Sequence, residues 1–317
     1  MIALADTSSA PWVVFIIAIL FFLALDLGVF HRRAHVVRFR EALLWTAIWF
    51  ACAMFFAFVA APALVGSWTR QDTVMFITGY IIELSLSMDN VFVIALLFAY
   101  FKVPAELQHR VLFWGILGAL LMRGLLIGVG AALVLHFHWV LYVFGAFLVF
   151  TGVKMFFAGE GGVEPENNFV LKLARRFFPI SDKFEGQKFF TIVNARRALT
   201  PLALVLLMVE TTDLVFALDS IPATFGVTQK PFIVFTSNVF AILGLRSLYF
   251  VLANAIDSFR LLKFGLAVVL VFIGGKMLAE KWIHVPTNSA LIVVAAIILF
   301  SILLSMLTTP KPPRDPR

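Results

Sequence analysis

Two apolar stretches of the sequence carry acidic side chains at their centres. The first is "ELSLSMDN", residues 83–90, and the second is "VETTDLVFALDSIP", residues 209–222. A charged side chain at the centre of a bilayer costs about 2.5–3.5 kcal/mol even on the scale measured for translocon insertion. Side chains kept there need a partner or a function. The polar side chains of the first stretch are Glu83, Ser85, Ser87, Asp89 and Asn90, and those of the second are Glu210, Thr211, Thr212, Asp213, Asp219 and Ser220.

The candidate ligands offer only oxygen atoms, from carboxylates, an amide and a hydroxyl. Raised pKa values or a bound cation could neutralise the acids. Oxygen ligands suit Mn²⁺, Ca²⁺ or Mg²⁺ and disfavour Zn²⁺ and Cu⁺, and the histidines and Cys52 lie outside both stretches. The alternative is that the acids are protonated or paired with Arg123 and Arg246 only to lock the helices together. Because five acids outnumber two arginines, we favour a functional metal site.

The spacing of the acids restricts how one helix could present them. Glu210 and Asp213 share a face, whereas Asp219 falls about half a turn from Glu210 at 3.6 residues per turn. Pro222 lacks a backbone donor. We therefore predict a break between Ala217 and Pro222 that turns Asp219 inward. The alternative is a second station at Asp219, toward the outer face.

The composition places these acids in a membrane. The chain has 317 residues, of which 62% are hydrophobic and 14% charged, with a mean hydropathy of +1.00. Soluble domains are about half apolar and a quarter charged. The apolar runs are continuous, unlike the alternating strands of a barrel, and each approaches the roughly 20 residues that a spanning helix needs. We predict an all-α polytopic transmembrane helix bundle of about nine helices, centred on residues 11–30, 41–63, 74–100, 111–135, 139–157, 201–222, 231–255, 262–279 and 287–307.

An internal repeat relates the two acidic stretches. "MDNVFVIA" at 88–95 aligns with "TDLVFALD" at 212–219, and two further fragments align in the same order. The alignments pair Asp89 with Asp213, Arg123 with Arg246, and Lys154 with Lys276. A unit of three helices thus occurs twice, and because three is odd the second copy enters from the opposite side. Two inverted three-helix repeats are typical of secondary transporters, with the substrate site at the midplane.

The repeat divides the chain into five predicted segments. These are an N-terminal two-helix segment (1–70), the first repeat (71–158), a basic loop (159–199), the second, inverted repeat (200–281) and a C-terminal helix and tail (282–317). Within the basic loop, "FVLKLARRFFPI" has apolar residues at helical spacing. It is either a short interfacial amphipathic helix or a loop packed on the bundle.

Positive charges set the predicted orientation. Residues 31–40 hold four Arg and residues 172–197 hold seven Lys or Arg, and nine crossings place both clusters on one side. The positive-inside rule then predicts an outside N-terminus and a cytoplasmic C-terminus. The net charge of +7 therefore indicates a basic face toward anionic lipid rather than a surface that binds nucleic acid. No nucleotide-binding loop or hydrolase motif of the GxxxxGK[ST], HExxH or GxSxG type occurs, which argues against a nucleotide-driven pump and an enzyme.

Several motifs resemble those of the TerC family of bacterial membrane proteins, in particular its Alx-like branch. They include "ELSLSMDNVFV", "LGALLMRGLLI", "DLVFALDSIPA" and "LKFGLAVVLVFIGGKM", and the resemblance covers roughly residues 12–307. It implies a protein of the bacterial inner membrane that exports Mn²⁺, a link to tellurite resistance and, in some members, metal delivery to secreted proteins. The residues that it marks as functional, and that we predict as metal ligands, are Glu83, Asp89, Asn90, Glu210, Asp213, Asp219 and Ser220.

We therefore expect a transporter that exports divalent cations, Mn²⁺ above all, through a midplane site of Glu83, Asp89, Glu210 and Asp213. Asp219 either completes this site or gates its exit. Proton exchange is the expected coupling, because carboxylates that release a cation must take up positive charge or remain bare. The alternative is a membrane scaffold or metal-delivery partner without transport of its own, which would recruit membrane or secretion proteins through residues 159–199.

Overall fold

A computed structural model of the chain describes residues 9–25, 39–157, 169–181, 183–193, 196–252, 262–283 and 285–308. Most of the first predicted basic cluster and the beginning of the basic loop lie outside these ranges. Within them the helices are α1 (Ser9–Leu25), α2 (Phe39–Phe55), α3 (Ala61–Leu64), α4 (Arg70–Tyr100), α5 (Ala105–His136), α6 (Val140–Phe157), α7 (Phe169–Phe177), α8 (Pro201–Phe225), α9 (Pro231–Leu252), α10 (Leu262–Ala279) and α11 (Thr287–Thr308). A π-helical turn, Phe56–Ala60, joins α2 to α3.

The helices match the apolar runs of the sequence. Seven of the described helices are long and apolar enough to cross a membrane, and α1 is a shorter apolar helix. Together with α10, which has 18 residues, they occupy all nine predicted positions. The prediction of an all-α polytopic bundle is confirmed.

Helix α4 begins four residues before the predicted start of its apolar run because its first turn is capped. Thr69 Oγ1 accepts a hydrogen bond of 3.2 Å from the Asp72 backbone N–H, and Asp72 Oδ2 accepts one of 2.9 Å from the Thr69 N–H. This reciprocal capping box satisfies donors that a helix start leaves open. Asp72 also receives Lys230 Nζ at 2.7 Å, which fastens the start of α4 to the connection between α8 and α9.

Helix α9 forms the centre of the bundle. It packs against α2, α4 and α5, and its side chains from Phe232 to Tyr249 are almost all buried. Helix α1 lies against it through the ring of Phe15, whose centroid is 6.1 Å from that of Phe232 and 5.9 Å from that of Phe240. Polar residues on α9 are therefore enclosed by protein and shielded from lipid.

Helices α6 and α10 make the closest helix contact. A Cβ atom at Gly274 would lie 2.5 Å from the Gly145 carbonyl oxygen, and one at Gly152 would lie 2.7 Å from the Ala267 carbonyl oxygen. Small residues of this kind allow helix backbones to approach in membranes. Any side chain at these glycines would separate α6 from α10.

The packing of the two predicted repeats is reciprocal. Helix α4 packs on α9 and α5 packs on α8, while α6 packs on α10. If the units α4–α6 and α8–α10 are exchanged, the first two contacts interchange and the third maps onto itself. A two-fold relation between the units requires this arrangement, although the inverted repeat itself stays a prediction.

The basic loop contains both a helix and strands. The predicted helix is present as α7, and it packs against α8. Beyond it, β1 (Phe190–Val193) and β2 (Arg196–Leu199) form an antiparallel pair in which Phe190 faces Leu199. These two strands were not predicted from the sequence, and the bundle that they adjoin is all-α as predicted. The hairpin lies beside the start of α8, where the Thr200 N–H donates to the Phe189 carbonyl at 3.0 Å.

The predicted break in the second acidic stretch is wrong. Helix α8 continues from Pro201 to Phe225 with Pro222 inside it. Proline removes one backbone hydrogen bond, which transmembrane helices tolerate where neighbouring groups support the turn. Here the residues from Ser220 to Phe225 are all buried, and Thr224 Oγ1 donates to the Ser220 carbonyl at 3.0 Å. This packing holds the turn helical, so Asp219 keeps its helical direction.

Candidate functional site

Arg123 lies at the centre of a buried polar cluster. This residue of α5 is 2% exposed and reaches one carboxylate on α4 and one on α8. Its Nη1 donates to Glu83 Oε1, its Nη2 to Asp213 Oδ1 at 2.7 Å, and its Nε to Asp213 Oδ2 at 3.2 Å. The planar guanidinium thus binds Asp213 through two parallel hydrogen bonds. Two carboxylates share one guanidinium, which leaves one excess negative charge when both are ionised.

Neighbours on α4 extend the cluster. Asn90 Nδ2 donates to Asp213 Oδ1 at 3.3 Å, and Ser87 Oγ donates to Glu83 Oε1 at 3.4 Å. All four side chains are buried. The carboxylates are therefore held by neutral donors in addition to Arg123.

Neighbours on α8 and α9 complete the cluster. Arg123 Nη1 lies 3.4 Å from Ser220 Oγ and 3.3 Å from Asn238 Oδ1, both of which accept hydrogen bonds from it. Asn238 Nδ2 in turn donates to the Val234 carbonyl at 3.1 Å. The orientation of the Asn238 amide follows from this arrangement, since its oxygen faces the cation and its nitrogen faces the backbone.

The cluster residues on α4 and on α8 have the same spacing along their helices. Glu83 and Asn90 are seven residues apart, and so are Asp213 and Ser220. Seven residues bring a helix to within about 20° of two full turns. Each helix therefore presents an acid and a neutral oxygen ligand on one face, toward Arg123.

Asp89 and Asp219 lie outside this cluster. Each comes one residue before the second member of a pair, which is about 100° around its helix. Asp89 is close enough to Lys263 of α10 for electrostatic attraction. Asp219 is within hydrogen-bonding reach of Thr151 on α6 and near Lys154. Both acids face the α6–α10 pair, and each has a lysine close by.

Glu210 occupies a third position, against α5. Its carboxylate lies where a side chain at Gly118 would be, so Gly118 makes room for it. Glu210 is also near Asp213, one turn further along α8.

Three buried oxygen atoms have no hydrogen-bond donor within the described residues. They are Glu83 Oε2, Asn90 Oδ1 and Glu210 Oε2. A buried acceptor left unpaired costs about 1–3 kcal/mol, so such atoms call for an explanation. Protons, water or a cation are the species that oxygen acceptors of this kind bind.

A small cavity adjoins the cluster. It has a volume of about 20 Å³, enough for one water molecule or a small ion, and Asn90, Asp213 and Arg246 are among its walls. Arg246 also lines a second cavity of about 40 Å³, which is bounded by α1, α2, α5 and α9 and includes Trp49. Arg246 thus stands between the cavity beside Asp213 and the α1–α2 side of the bundle.

Four of the seven predicted ligands come together: Glu83, Asn90, Asp213 and Ser220. Within the part of the chain that the structure describes, no three or more His, Cys, Asp or Glu residues are grouped to hold a metal ion. Arg123 was predicted only as a possible salt-bridge partner, and neither Ser87 nor Asn238 was among the seven predicted ligands. The seven-residue spacing on α4 and α8 was the available signal for the contacting face.

Comparison with known proteins identifies the family. Residues 68–312 match the family described as "Integral membrane protein TerC family", which covers α4 to α11. The chain is 48% identical over 309 residues to the uncharacterized membrane protein STKORF319 of Myxococcus xanthus, covering 96% of this chain and 95% of that protein. It is 44% identical over 299 residues to the "Putative membrane-bound redox modulator Alx" of Escherichia coli (strain K12), covering 93% of each.

A more distant relative and the solved structures complete the comparison. An uncharacterized membrane protein of Rickettsia bellii is 38% identical over 296 residues, covering 93% of this chain and 97% of that protein. No solved structure matches. The family match and the long, closely similar relatives agree, and the chain belongs to the TerC family of integral membrane proteins.

Proposed function

We propose that the protein exports divalent metal cations, principally Mn²⁺, from the cytoplasm through the polar cluster around Arg123. The observation that carries the proposal is a connected set of buried carboxylate and amide groups with unfilled acceptor oxygens in the middle of apolar helices. Charged groups retained at membrane depth mark ion pathways in many membrane proteins. Carboxylate and amide oxygens suit Mn²⁺ as cargo.

Arg123 has a defined role in this proposal. Its guanidinium pairs with both Glu83 and Asp213 in the conformation described above and offsets one of their two negative charges. A divalent cation would be repelled by that positive charge, so cargo binds after Arg123 has left at least one carboxylate. Arg123 is thus an internal counter-cation that holds the carboxylates between transport events. The absence of a grouped metal site in the described residues is consistent with such an exchange.

The remaining acids serve as stations on the path. Asp89 lies in the half of α4 nearer α7, and Asp219 lies in the half of α8 farther from it. Each acid therefore lies beside the cluster, next to Asn90 or Ser220 along its helix and on the side of α6 and α10. Glu210, beside Gly118, lies within the same interior and offers an unpaired oxygen. The cavities on either side of Arg246 offer a route from the α1–α2 side.

Protons are the proposed coupling ion. When a cation leaves buried carboxylates, the remaining charge is costly unless positive charge replaces it. Arg123 returns one positive charge to Glu83 and Asp213, and protons supply the remainder there and at the acids that Arg123 does not reach.

The proposed location is the bacterial inner membrane, with the N-terminus outside. On this orientation the side that carries α7 and the hairpin is cytoplasmic, because it has the higher density of Lys and Arg. Transport then proceeds from the α7 side to the side of the Asp72–Lys230 ion pair.

Flux measurements test the proposal. The full chain is reconstituted in vesicles that contain a Mn²⁺-sensitive dye, and Glu83→Gln and Asp213→Asn are compared with wild type. Asp72→Asn is the matched control, because Asp72 is equally buried but lies outside the cluster. We expect both cluster variants to lose most of the flux and the control to keep it. Wild-type flux in both correctly folded cluster variants would exclude the proposed pathway.

A scaffold or metal-delivery role is the second candidate, and the exposed basic surface of α7 and the hairpin favours it. Because α7 packs on α8, deleting the loop would disturb the bundle as well. Arg176→Glu with Lys188→Glu is a cleaner test, since both side chains are exposed. A scaffold loses its function in cells through these changes, whereas a transporter keeps its flux in vesicles. The name of the Alx relatives suggests a redox role, but Cys52 is the only cysteine here, so no disulfide can form within one chain.

A further inference from the structure

An apolar groove opens beside α7 on the face of the bundle away from the Arg123 cluster. It has a volume of about 580 Å³, within the range of about 300–1,000 Å³ that is usual for small-molecule sites. Its walls come from α5, α7, the hairpin and α8, and nearly all the surface that they contribute is apolar. Trp114, Leu173, Phe177 and Phe190 line it and are each more than two-fifths exposed.

The groove lies at the level of one membrane interface. Trp114 is nine residues from the first residue of α5, and Leu207 is six residues from the first residue of α8. At a rise of 1.5 Å per residue these side chains are about 14 Å and about 9 Å inside the helix ends. Helix α5 has 32 residues and α8 has 25, so each extends beyond a hydrocarbon core of about 30 Å, by roughly 9 Å and 4 Å at each end. Both side chains therefore lie about 5 Å inside the surface of the core, in the outer part of one leaflet. An exposed tryptophan at this level is typical of a membrane interface.

Positive charge surrounds the groove on its water-facing side. Residues 169–199 contain seven Lys or Arg and two acids. Lys172 and Arg176 project from α7, and Lys188 and Arg197 belong to the hairpin region; all four side chains are exposed. One of the two acids, Glu185, already accepts a hydrogen bond of 2.6 Å from Thr191. The rim therefore matches an anionic group that lies above an apolar chain.

The groove is built into the bundle by specific contacts. Arg110 Nη1 of α5 donates to Gln187 Oε1 at 2.6 Å, and its guanidinium lies 5.3 Å from the ring centroid of Phe189. Phe189 in turn meets the ring of Trp114 at 6.3 Å. These contacts tie the hairpin to α5 and fix one wall of the groove.

We propose that this groove binds one anionic phospholipid of the adjacent leaflet. One acyl chain lies along Trp114, Leu173 and Phe177, and the phosphate-bearing headgroup contacts the basic side chains of α7 and the hairpin. Basic residues beside an apolar surface at the membrane interface bind anionic lipids through charge attraction and through burial of apolar surface together. The site is independent of the Arg123 cluster and does not rest on cation transport.

Native mass spectrometry of the full chain in detergent tests the proposal, with phosphatidylglycerol and phosphatidylcholine titrated separately. We expect phosphatidylglycerol to bind at least about tenfold more tightly. Arg176→Gln with Arg197→Gln should lower its affinity about twenty-five-fold, at about fivefold for each charge near an anionic group, and should leave phosphatidylcholine unaffected. Ala174→Trp, which fills the groove, should abolish binding of both lipids.

Val129→Trp is the control for the groove variant, because Val129 is an exposed apolar residue of α5 far from α7. It should leave both affinities unchanged. Equal affinities for the two lipids, or phosphatidylglycerol binding that survives both Ala174→Trp and the double charge variant, would overturn the proposal. Loss of the bound lipid on addition of a protein, but not on addition of competing phospholipid, would also overturn the proposal. The groove would then be a protein-docking surface.

Discussion

Arg123 and Asp213 are joined by two hydrogen bonds across the interface of α5 and α8, with Nη2 2.7 Å from Oδ1 and Nε 3.2 Å from Oδ2. The second Nη group of the same guanidinium contacts Glu83 on α4. Its Nη1 also donates to Asn238 on α9, so one side chain connects four helices, two from each predicted repeat. A planar, permanently charged group is needed for this geometry, and lysine could not reproduce it.

Replacing Arg123 should destabilise the protein strongly. Arg123→Gln leaves two carboxylates without their cation, and breaking a buried ion pair in this way costs about 3–5 kcal/mol. Unfolding in detergent micelles, followed by denaturant titration, measures the loss. The control is Lys230→Gln, which should cost less, about 1 kcal/mol, because the Lys230 side chain is 47% exposed and the buried Asp72 keeps its hydrogen bonds from Thr69. Similar losses in the two variants would show that Arg123 is not the main tie between the helices.

Arg123→Gln should also make the protein more responsive to Mn²⁺. Without the guanidinium, Glu83 and Asp213 are available to a cation, and a ligand that binds only the folded state raises its stability. We expect added Mn²⁺ to raise the melting temperature of Arg123→Gln more than that of wild type. The triple variant that also carries Glu83→Gln and Asp213→Asn should lose this response. A response that persists in the triple variant would place the stabilising Mn²⁺ elsewhere.

The helices could be predicted from the sequence because, inside a membrane, a helix lets every backbone N–H and C=O of a continuous apolar run form its hydrogen bond. The start of α4 was missed by four residues, although "TRQD" at 69–72 follows the capping-box pattern. The hairpin was missed as well. Its two short strands are separated by Asn194 and Ala195, which lack the glycine that marks a two-residue hairpin turn, and the adjacent basic and apolar residues resemble an amphipathic segment.

The site could be predicted only in part. Residue type identified the acids, but direction around the helix decides which of them meet. Glu83 and Asp213 contact Arg123, while Asp89 and Asp219 turn toward α10 and α6. The predicted unwinding at Pro222 would have removed this distinction. It does not occur, because buried neighbours support the last turns of α8.

Adjacent glycines of α10 should respond in opposite ways to substitution. A Cβ at Gly274 would lie 2.5 Å from the Gly145 carbonyl oxygen and 2.9 Å from the Val149 nitrogen, both backbone atoms that cannot rotate away. Gly274→Ala should therefore destabilise the protein by about 1–3 kcal/mol through overpacking. Gly275 has no atom within 4 Å of such a Cβ, so Gly275→Ala should be neutral or stabilising by up to about 1 kcal/mol. Denaturant unfolding of both variants makes the comparison, and equal effects would contradict the close contact of α6 and α10.

Gly118→Ala should separate transport from stability. The new methyl group would collide with the Glu210 carboxylate, but this is the mobile end of a flexible side chain, so the α5 backbone can stay in place. Alanine also favours a helix over glycine by about 0.5–1 kcal/mol. We expect near-normal unfolding and a Mn²⁺ flux reduced about tenfold, because Glu210 is pushed from its position beside α5.

The matched control for this change is Gly128→Ala on the same helix, since no atom lies within 4 Å of a Cβ there. It should keep the wild-type flux. Adding Glu210→Asp to Gly118→Ala shortens the displaced side chain by one methylene and should restore part of the flux, which a general packing defect would not allow. Wild-type flux in Gly118→Ala would remove Glu210 from the cation path and confine that path to the groups that contact Arg123.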